Sequence, residues 1–228
     1  MKISDAAIIR ALGDAALTVE FGTEVDPIVN AYVLAAQRAV NQAGIPGVTE
    51  TVPTFRALAV HFDLDEIDHE KLIAALGALD ISSQAETAPS RSWVVPVLYD
   101  GPDLDAVAKA AGLSPAEVAT LHSGSRYHVY MLGFLPGFAY LGDLPDRLRL
   151  PRLKEPRTRV PPGSVAIADQ LTAIYPAQSP GGWHLIGRTP LRLFDPRAKA
   201  PSLFAPGDRV VFRAVDASEF AKLSEAAA

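Results

Sequence analysis

In the first third of the chain, a segment with the hydrophobic spacing of a strand is followed by one with the spacing of a helix. Segment 16–21, ALTVEF, alternates with the two-residue period of a strand. Asp26 and Pro27 then predict a helix start, since aspartate caps helices well and proline suits the first helical position. Apolar residues recur at helical spacing up to Ala43, and Gly44 predicts the helix end. The expected core positions of this helix are Ile28, Tyr32, Ala35, Ala36 and Ala39.

Two further strands and a second helix are predicted before residue 80. The strands cover about 48–53 and 57–62, and the helix covers about 68–77. Leu72, Ile73 and Leu76 are the expected core face of that helix. The pattern predicts a small α+β sandwich, in which helices cover one face of an antiparallel sheet.

The rest of the chain opens with a predicted strand and two short helices and then becomes almost wholly β. The strand covers 93–99, Asp103 is the expected cap of a helix over 104–111, and Ser114 with Glu117 forms a capping box for the next helix. The later predicted strands cover 127–132, 164–168, 171–175, 184–187, 191–194 and 209–214, and a last helix covers 217–226. Short strands separated by Gly and Pro are typical of a closed barrel or a sandwich.

Charge and proline content change near residue 88. Residues 1–88 hold 5 basic and 13 acidic residues, a net of −8, whereas residues 89–228 hold 16 basic and 13 acidic, a net of +3. Only 3 of the 19 prolines fall in the first segment. The stretch SSQAETAPS, 82–90, is small, polar and aperiodic, as linkers are. We therefore predict two domains, 1–88 and 89–228.

Composition excludes several classes of protein. The chain has no cysteine, which excludes a disulfide scaffold, a thiolate nucleophile and Cys-ligated zinc. No apolar run is long enough to span a bilayer, and charged residues interrupt the N-terminus where a signal peptide needs an apolar stretch, so a cytoplasmic protein without a membrane partner is expected. The net charge of −5 argues against nucleic-acid binding. The five histidines show no metal-ligand spacing, and no bound metal is predicted.

Residues 133–142 form the first candidate site segment, GFLPGFAYLG. Glycines and a proline predict tight bends around Phe134, Phe138 and Tyr140. The segment is either a ligand-binding loop walled by aromatic rings or a barrel corner with a packed aromatic cluster.

Two basic or glycine-rich segments follow. In 150–164 the cations Arg152, Lys154, Arg157 and Arg159 lie among four prolines, which predicts an extended strap that either binds an anion or is a solvated basic loop. In 175–190, adjacent glycines at 181 and 182 can form a backbone N–H nest for an anion. Candidate groups around that nest are Ser179, Trp183, Arg188 and Thr189. The alternative for this segment is a hairpin with a buried tryptophan.

These motifs resemble one protein family. The run GFLPGFAYLG…PR…PR..VPPGSVAIA…IYP..SPGGW.LIGRTP is similar to the KipI-like family, also called allophanate hydrolase subunit 1, whose bacterial members include the B subunit of 5-oxoprolinase. The resemblance covers the whole chain. It implies a small α+β N-terminal domain followed by a mainly β, cyclophilin-like barrel domain. Ser164 and Tyr175 lie within the matching motifs and join the predicted substrate- or anion-binding residues.

The resemblance also implies an activity and partners. The expected function is that of the B subunit of ATP-dependent 5-oxoprolinase, which opens 5-oxo-L-proline to L-glutamate. Its implied partners are a KipA-type protein (allophanate hydrolase subunit 2, the C subunit of 5-oxoprolinase) and a third protein, the A subunit. ATP, with Mg, is the implied cofactor, and the chain alone is expected to be inactive. The alternatives are a regulator that inhibits a sensor histidine kinase, or a component of a urea carboxylase or allophanate hydrolase.

The residue types suit that chemistry, because activating a lactam with phosphate needs cationic or N–H groups that bind phosphate and stabilise negative charge. Arg152, Arg157, Arg188 and the glycine pair are the candidates for this role. His128 and His184 are candidate general bases by residue type only.

One position departs from the family pattern. Similar sequences have Gly-x-Gln-Thr-Gly-Ile-Tyr, whereas this chain has Leu171 at the glutamine position and Ala173 at the second glycine. We expect Leu171 to be a pocket wall, with altered specificity or weakened activity as the consequence; the alternative is a leucine packed in the barrel core.

Overall fold

A computed structural model of the chain describes residues 1–82 and 91–226. The chain divides into two compact units, Met1–Ser90 and Arg91–Ala228, and each has its own buried core. The predicted boundary at residue 88, and most of the linker predicted around it, lie outside the described residues.

Within residues 1–82, the first unit consists of an antiparallel sheet and helices. Its strands are β1 (Ile8–Ala11), β2 (Ala16–Glu20), β3 (Val48–Pro53) and β4 (Ala57–Phe62), and its helices are α1 (Ile3–Ala6), α2 (Pro27–Ala43) and α3 (His69–Ala78). The strand order is β1, β2, β4, β3. Alternate residues of β2 and β4 pack with residues of α2 and α3 in one buried cluster, so the predicted arrangement of helices against an antiparallel sheet is found.

The ends of α2 are those that the sequence predicts. The Asp26 carboxylate accepts hydrogen bonds from the backbone N–H groups of Ile28 and Val29, and Gly44 ends the helix in a left-handed conformation. The predicted burial of Ile28 and Ile73 is wrong, since both side chains are exposed. Ile28 lies in the first turn of α2, and Ile73 lies one residue, about 100° of helical rotation, beyond buried Leu72.

The second unit is mainly β. Its strands are β5 (Ser92–Val97), β6 (Arg126–Leu132), β7 (Ala139–Gly142), β8 (Arg157–Val160), β9 (Ser164–Ala168), β10 (Leu171–Ile174), β11 (Ser179–Gly181), β12 (His184–Arg188) and β13 (Arg209–Ala214). Its helices are α4 (Leu104–Ala111), α5 (Pro115–Ser123), α6 (Ala217–Ala226) and a short 3-10 helix (Asp146–Leu148).

Seven strands of this unit form a nearly closed barrel. Their order is β12, β9, β10, β7, β6, β13, β5, and among these seven only β13 and β5 run parallel. Beyond the end of β5, Leu98 exchanges two backbone hydrogen bonds of 2.9 Å with Arg188 of β12, which links the two edges of the sheet. All seven strands contribute apolar side chains to one buried cluster, as expected for the interior of a barrel.

A second apolar cluster lies on the other face of β9, β10 and β12. It contains Ala166, Ala173 and Leu185 from these strands, together with Val160 at the end of β8. Strands β8 and β11 form a separate two-stranded sheet. This cluster supplies the floor of the candidate site.

Several predicted elements differ from the structure. The predicted strand at 191–194 is not formed, and only Phe194 makes an isolated bridge, to Ser202. The sequence did not predict β1, β7, β8 or β11, each of three or four residues, because runs this short carry little periodicity. Asp103 precedes α4 as predicted, but its side chain makes no cap hydrogen bond.

Candidate functional site

An aromatic pocket of about 250 Å³ lies over the second apolar cluster. It brings together the three segments that the sequence singled out. The described residues that line it are Phe134, Phe138, Tyr140, Arg152, Pro156, Tyr175, Pro180, Gly181, Gly182 and Trp183. Phe138, Tyr175 and Trp183 are buried core residues that also form the pocket wall, so the packed aromatic cluster is present and ligand binding by the segment stays a prediction.

The loop before β7 holds Phe134 at the pocket in a strained backbone conformation. Phe134 has a φ of 67°, and Leu135 N–H donates to the carbonyl of Gly133 at 2.8 Å, which makes a γ-turn centred on Phe134. The next turn, 135–138, has proline second and Gly137 third with a φ of 81°, as a type II turn requires. The Phe134 ring is 61% exposed and packs edge-on against Phe138, with ring centroids 5.4 Å apart.

Arg152 reaches the pocket from the strap. Its guanidinium carbon lies 5.8 Å from the centroid of the Trp183 ring, within cation–π range. Its Nε lies 3.7 Å from an Asp169 carboxylate oxygen, and the two side chains are 60% and 58% exposed. An exposed pair at that distance contributes little energy. Arg152 is the one charged residue among the described residues that line the pocket.

Arg157 has a different position from the one that the sequence predicts. Its Nη2 donates to an Asp103 carboxylate oxygen at 2.5 Å, and the other oxygen of Asp103 accepts from the backbone N–H of Leu185 at 2.7 Å. Arg157 does not line the pocket. Its guanidinium instead ties β8 to the start of α4, and the Asp103 carboxylate that it contacts also binds β12.

Arg188 is paired as well. Its guanidinium contacts Asp100 through Nε and Nη2, with the shortest distance 2.8 Å, and lies 4.6 Å from the Phe220 ring centroid. Arg188 is likewise absent from the pocket wall. Of the three predicted anion-binding arginines, the structure brings only Arg152 to the pocket.

The adjacent glycines line the pocket, but they do not form the predicted nest. A nest needs alternating backbone conformations, whereas Gly181 belongs to β11 and neither glycine has a positive φ. A Cβ atom on Gly181 would lie 2.3 Å from the Tyr175 hydroxyl oxygen. Glycine is therefore needed here for the close approach of Tyr175.

The predicted hydroxyl residues lie outside the pocket wall. Ser164 is buried, and its hydroxyl donates to the Pro161 carbonyl at 2.8 Å. Thr189 is buried, and its Oγ1 accepts from the Leu191 N–H at 3.3 Å. Ser179 is buried in β11 next to the wall residue Pro180.

Neither candidate general base lines the pocket. His128 is buried beside Tyr130, and burial, aided by the nearby Arg209 charge, lowers its pKa to about 4. The Nε2 of His184 lies 2.8 Å from the Pro151 carbonyl, to which it donates. His184 therefore fixes the strap next to Arg152.

Leu171 packs against the second apolar cluster and is not a pocket wall, which corrects the prediction. Its side chain lies on the same face of β10 as Ala173 and Tyr175, but only Tyr175, beyond the end of the strand, reaches the pocket. Sequence reasoning missed two wall residues, Pro156 and Pro180. The prolines within both motifs were the available signal for them.

The pocket wall carries two neutral phenol groups. Burial raises the pKa of Tyr140 and of Tyr175 above the usual value, so both hydroxyls stay protonated at neutral pH. Among the described residues, no group of three or more histidine and acidic side chains is arranged to hold a metal ion. No helix in the described part of the chain has the length and apolarity of a membrane span.

Comparison with known proteins decides the family. Residues 7–204 match the model of the carboxyltransferase domain, subdomain C and D. The chain is 39% identical over 227 residues to the B subunit of 5-oxoprolinase from Bacillus subtilis (strain 168), covering 93% of this chain and 94% of that protein. The chain belongs to the family of the carboxyltransferase domain, subdomain C and D. The B subunit of 5-oxoprolinase from Escherichia coli O157:H7 is 44% identical over 180 residues, covering 78% of this chain and 81% of that one.

Solved structures similar to this chain agree with the fold. TTHA0988 superimposes with a TM-score of 0.80 at 37% identity, covering 92% of this chain but 40% of that one. The conserved uncharacterized protein PH0987 from Pyrococcus horikoshii superimposes with a TM-score of 0.56 at 40% identity, covering 93% of this chain and 100% of that one. The chain spans 40% of the length of TTHA0988.

Proposed function

We propose that this chain is the B subunit of an ATP-dependent 5-oxoprolinase, a hydrolase that converts 5-oxo-L-proline to L-glutamate. The observation that carries the proposal is the aromatic pocket with Arg152 at its wall, in a chain 39% and 44% identical to two proteins named as that subunit. A small, mostly apolar pocket with few polar groups is typical of a site for a small molecule.

The chemistry requires ATP because a lactam carbonyl is a poor electrophile. Transfer of the γ-phosphoryl group of ATP to the lactam oxygen releases ADP and makes the ring carbon electrophilic. Water then adds to that carbon, the ring C–N bond breaks, and a second water releases phosphate to leave the glutamate carboxylate and amine. Mg, held with ATP, would neutralise the phosphate charge.

The described residues of this chain supply only part of such a site. Arg152 can hold an anionic group, and the aromatic wall can exclude water from a flat ring. Neither His128 nor His184 lines the pocket, and we propose that another protein of the complex supplies the general base. We therefore expect the chain to act only together with a KipA-type protein, as the C subunit, and with an A subunit.

The proposed architecture follows the same family. We propose two domains, 1–88 and 89–228, with a cyclophilin-like barrel as the second and with the cytoplasm as the location. Opposite edges of the barrel sheet meet at Leu98 and Arg188, which supports a closed β architecture for that domain.

Reconstitution tests the function. The chain is co-purified with a KipA-type protein and an A subunit, and ATP-dependent release of glutamate from 5-oxo-L-proline is measured with each component omitted in turn. Glutamate release that requires this chain supports the proposal. Turnover by the other components at the full rate without this chain, or ATP-dependent turnover of urea but not of 5-oxo-L-proline, contradicts it.

A further inference from the structure

Among the described residues, the one cation at the pocket wall, Arg152, is not held in a close ion pair. Arg157 and Arg188 are held by Asp103 and Asp100, whereas the acidic contact that the described structure gives Arg152 is the exposed 3.7 Å approach of Asp169. The guanidinium of Arg152 therefore remains able to form a two-point contact with an incoming carboxylate.

The backbone on both sides of Arg152 is fixed. His184 donates through Nε2 to the carbonyl of Pro151 at 2.8 Å, and the N–H of Leu153 donates to the carbonyl of Gly182 at 2.7 Å. These two bonds join the strap to the residues that flank Trp183. Because the backbone is already fixed, ordering Arg152 on a ligand costs only the conformational entropy of its side chain.

The pocket suits an organic acid better than a nucleotide. Its volume of about 250 Å³ lies below the roughly 300–1,000 Å³ of sites for drug-sized ligands, and a nucleoside triphosphate is a ligand of that larger class. The described lining residues include no lysine and no carboxylate that would hold Mg, and Gly181 and Gly182 form no phosphate nest.

We propose that this pocket binds a small flat ring amide bearing one carboxylate, with Arg152 as the carboxylate anchor, and that the nucleotide binds elsewhere in the complex. The proposal rests on the proposed function and adds to it the division of ligands among the proteins of the complex. The ring lies against Tyr140, Tyr175 and Trp183, and the neutral tyrosine hydroxyls put no negative charge near the carboxylate.

Calorimetric titration of the full chain alone tests the assignment. The probes are 5-oxo-L-proline, 2-pyrrolidinone, which is the same ring without the carboxylate, and Mg–ATP. We expect 5-oxo-L-proline to bind, 2-pyrrolidinone to bind about 10- to 100-fold more weakly, and Mg–ATP not to compete. Absence of 5-oxo-L-proline binding, equal affinity for both rings, or displacement by Mg–ATP would each overturn the proposal.

Two variants distinguish a specific contact between Arg152 and the carboxylate from a general effect of positive charge on the strap. Arg152→Gln should weaken 5-oxo-L-proline binding about 10- to 100-fold and leave 2-pyrrolidinone binding unchanged. Arg152 is exposed, so this change should leave the fold intact, which circular dichroism checks. Arg159→Gln is the matched control, because Arg159 is an exposed cation of the same strap outside the pocket wall. Equal effects of the two variants would overturn the role of Arg152.

The same variants distinguish this inference from the proposed function. If the reconstituted complex releases glutamate while Arg152→Gln changes KM no more than Arg159→Gln does, the pocket assignment fails and the function stands. If the chain binds 5-oxo-L-proline through Arg152 but the complex releases no glutamate, the proposed function fails and the binding site stands.

Discussion

Asp103 and Arg157 form an ion pair between the N-terminus of α4 and strand β8, with Nη2 2.5 Å from Oδ1. The second carboxylate oxygen of Asp103 accepts the N–H of Leu185, so one side chain links α4, β8 and β12. Both side chains are mostly buried. This contact explains why Asp103 does not cap α4 and why Arg157 is absent from the pocket wall.

Replacing Asp103 with Ala should therefore destabilise the protein. The change leaves the Arg157 charge partly buried without its carboxylate, which costs about 3 kcal/mol in free energy of unfolding. Urea unfolding measures this. Asp100→Ala is the matched control, since the Asp100–Arg188 pair is exposed and should contribute less than about 1 kcal/mol. Equal losses in the two variants would contradict the structural role of the buried pair.

Leu171→Gln should lower stability without improving substrate binding. The leucine packs against the second apolar cluster, and a partly buried amide in its place costs about 1–2 kcal/mol. Thermal unfolding and 5-oxo-L-proline titration give the two readouts. Gln170→Leu, at the exposed neighbouring position, is the control and should be close to neutral. A several-fold gain in affinity for Leu171→Gln would instead restore Leu171 as a pocket wall.

Phe134→Gly should weaken ligand binding while changing the stability of the protein only slightly. Glycine adopts a positive φ freely, so the change removes backbone strain of about 1 kcal/mol and offsets the lost contact with Phe138. Unfolding free energy should change by less than about 1 kcal/mol, while affinity for 5-oxo-L-proline falls. Phe138→Ala, at a buried ring, should cost about 3–5 kcal/mol. Loss of stability in Phe134→Gly as large as in Phe138→Ala would show that Phe134 is a packing residue.

A buried polar chain crosses the barrel at His122. The Thr172 hydroxyl donates to the Ala166 carbonyl at 2.9 Å, so its oxygen accepts from Nε2–H of His122 at 3.0 Å. The Tyr99 hydroxyl then donates to Nδ1 at 2.7 Å. Burial lowers the pKa of His122 to about 3, and the imidazole stays neutral.

Stability should fall as the pH is lowered from about 6.5 toward 3. In that range the unfolded chain takes up a proton at His122 and the folded chain does not. The contribution of His122 to the free energy of unfolding therefore decreases by about 1.4 kcal/mol per pH unit. His122→Gln should reduce the slope of unfolding free energy against pH by that amount. Tyr99→Phe is the control, because it removes a hydrogen bond but keeps the titrating ring. An unchanged slope in His122→Gln would contradict the assignment.

Much of the fold could be predicted from the sequence, because local signals set it. The bounds of α2, β3, β4, β9 and β13 follow from caps, glycines and periodicity. Strands β7, β8 and β11 could not be predicted, since three or four residues form a strand only where a distant partner offers hydrogen bonds. The segments that line the pocket were predicted, but only some of the individual side chains at its wall were.

The sequence by itself determined which segments build the pocket, since tight-turn glycines, prolines and aromatic residues are local features of the chain. Only the tertiary structure decided which of the three arginines lines the pocket. Arg152, Arg157 and Arg188 look alike in sequence, yet Asp103 and Asp100 form close ion pairs with Arg157 and Arg188, whereas the Asp169 carboxylate lies 3.7 Å from Arg152. Long-range contacts choose the partner of a charge, and a residue 54 positions away cannot be recognised as that partner from a local pattern.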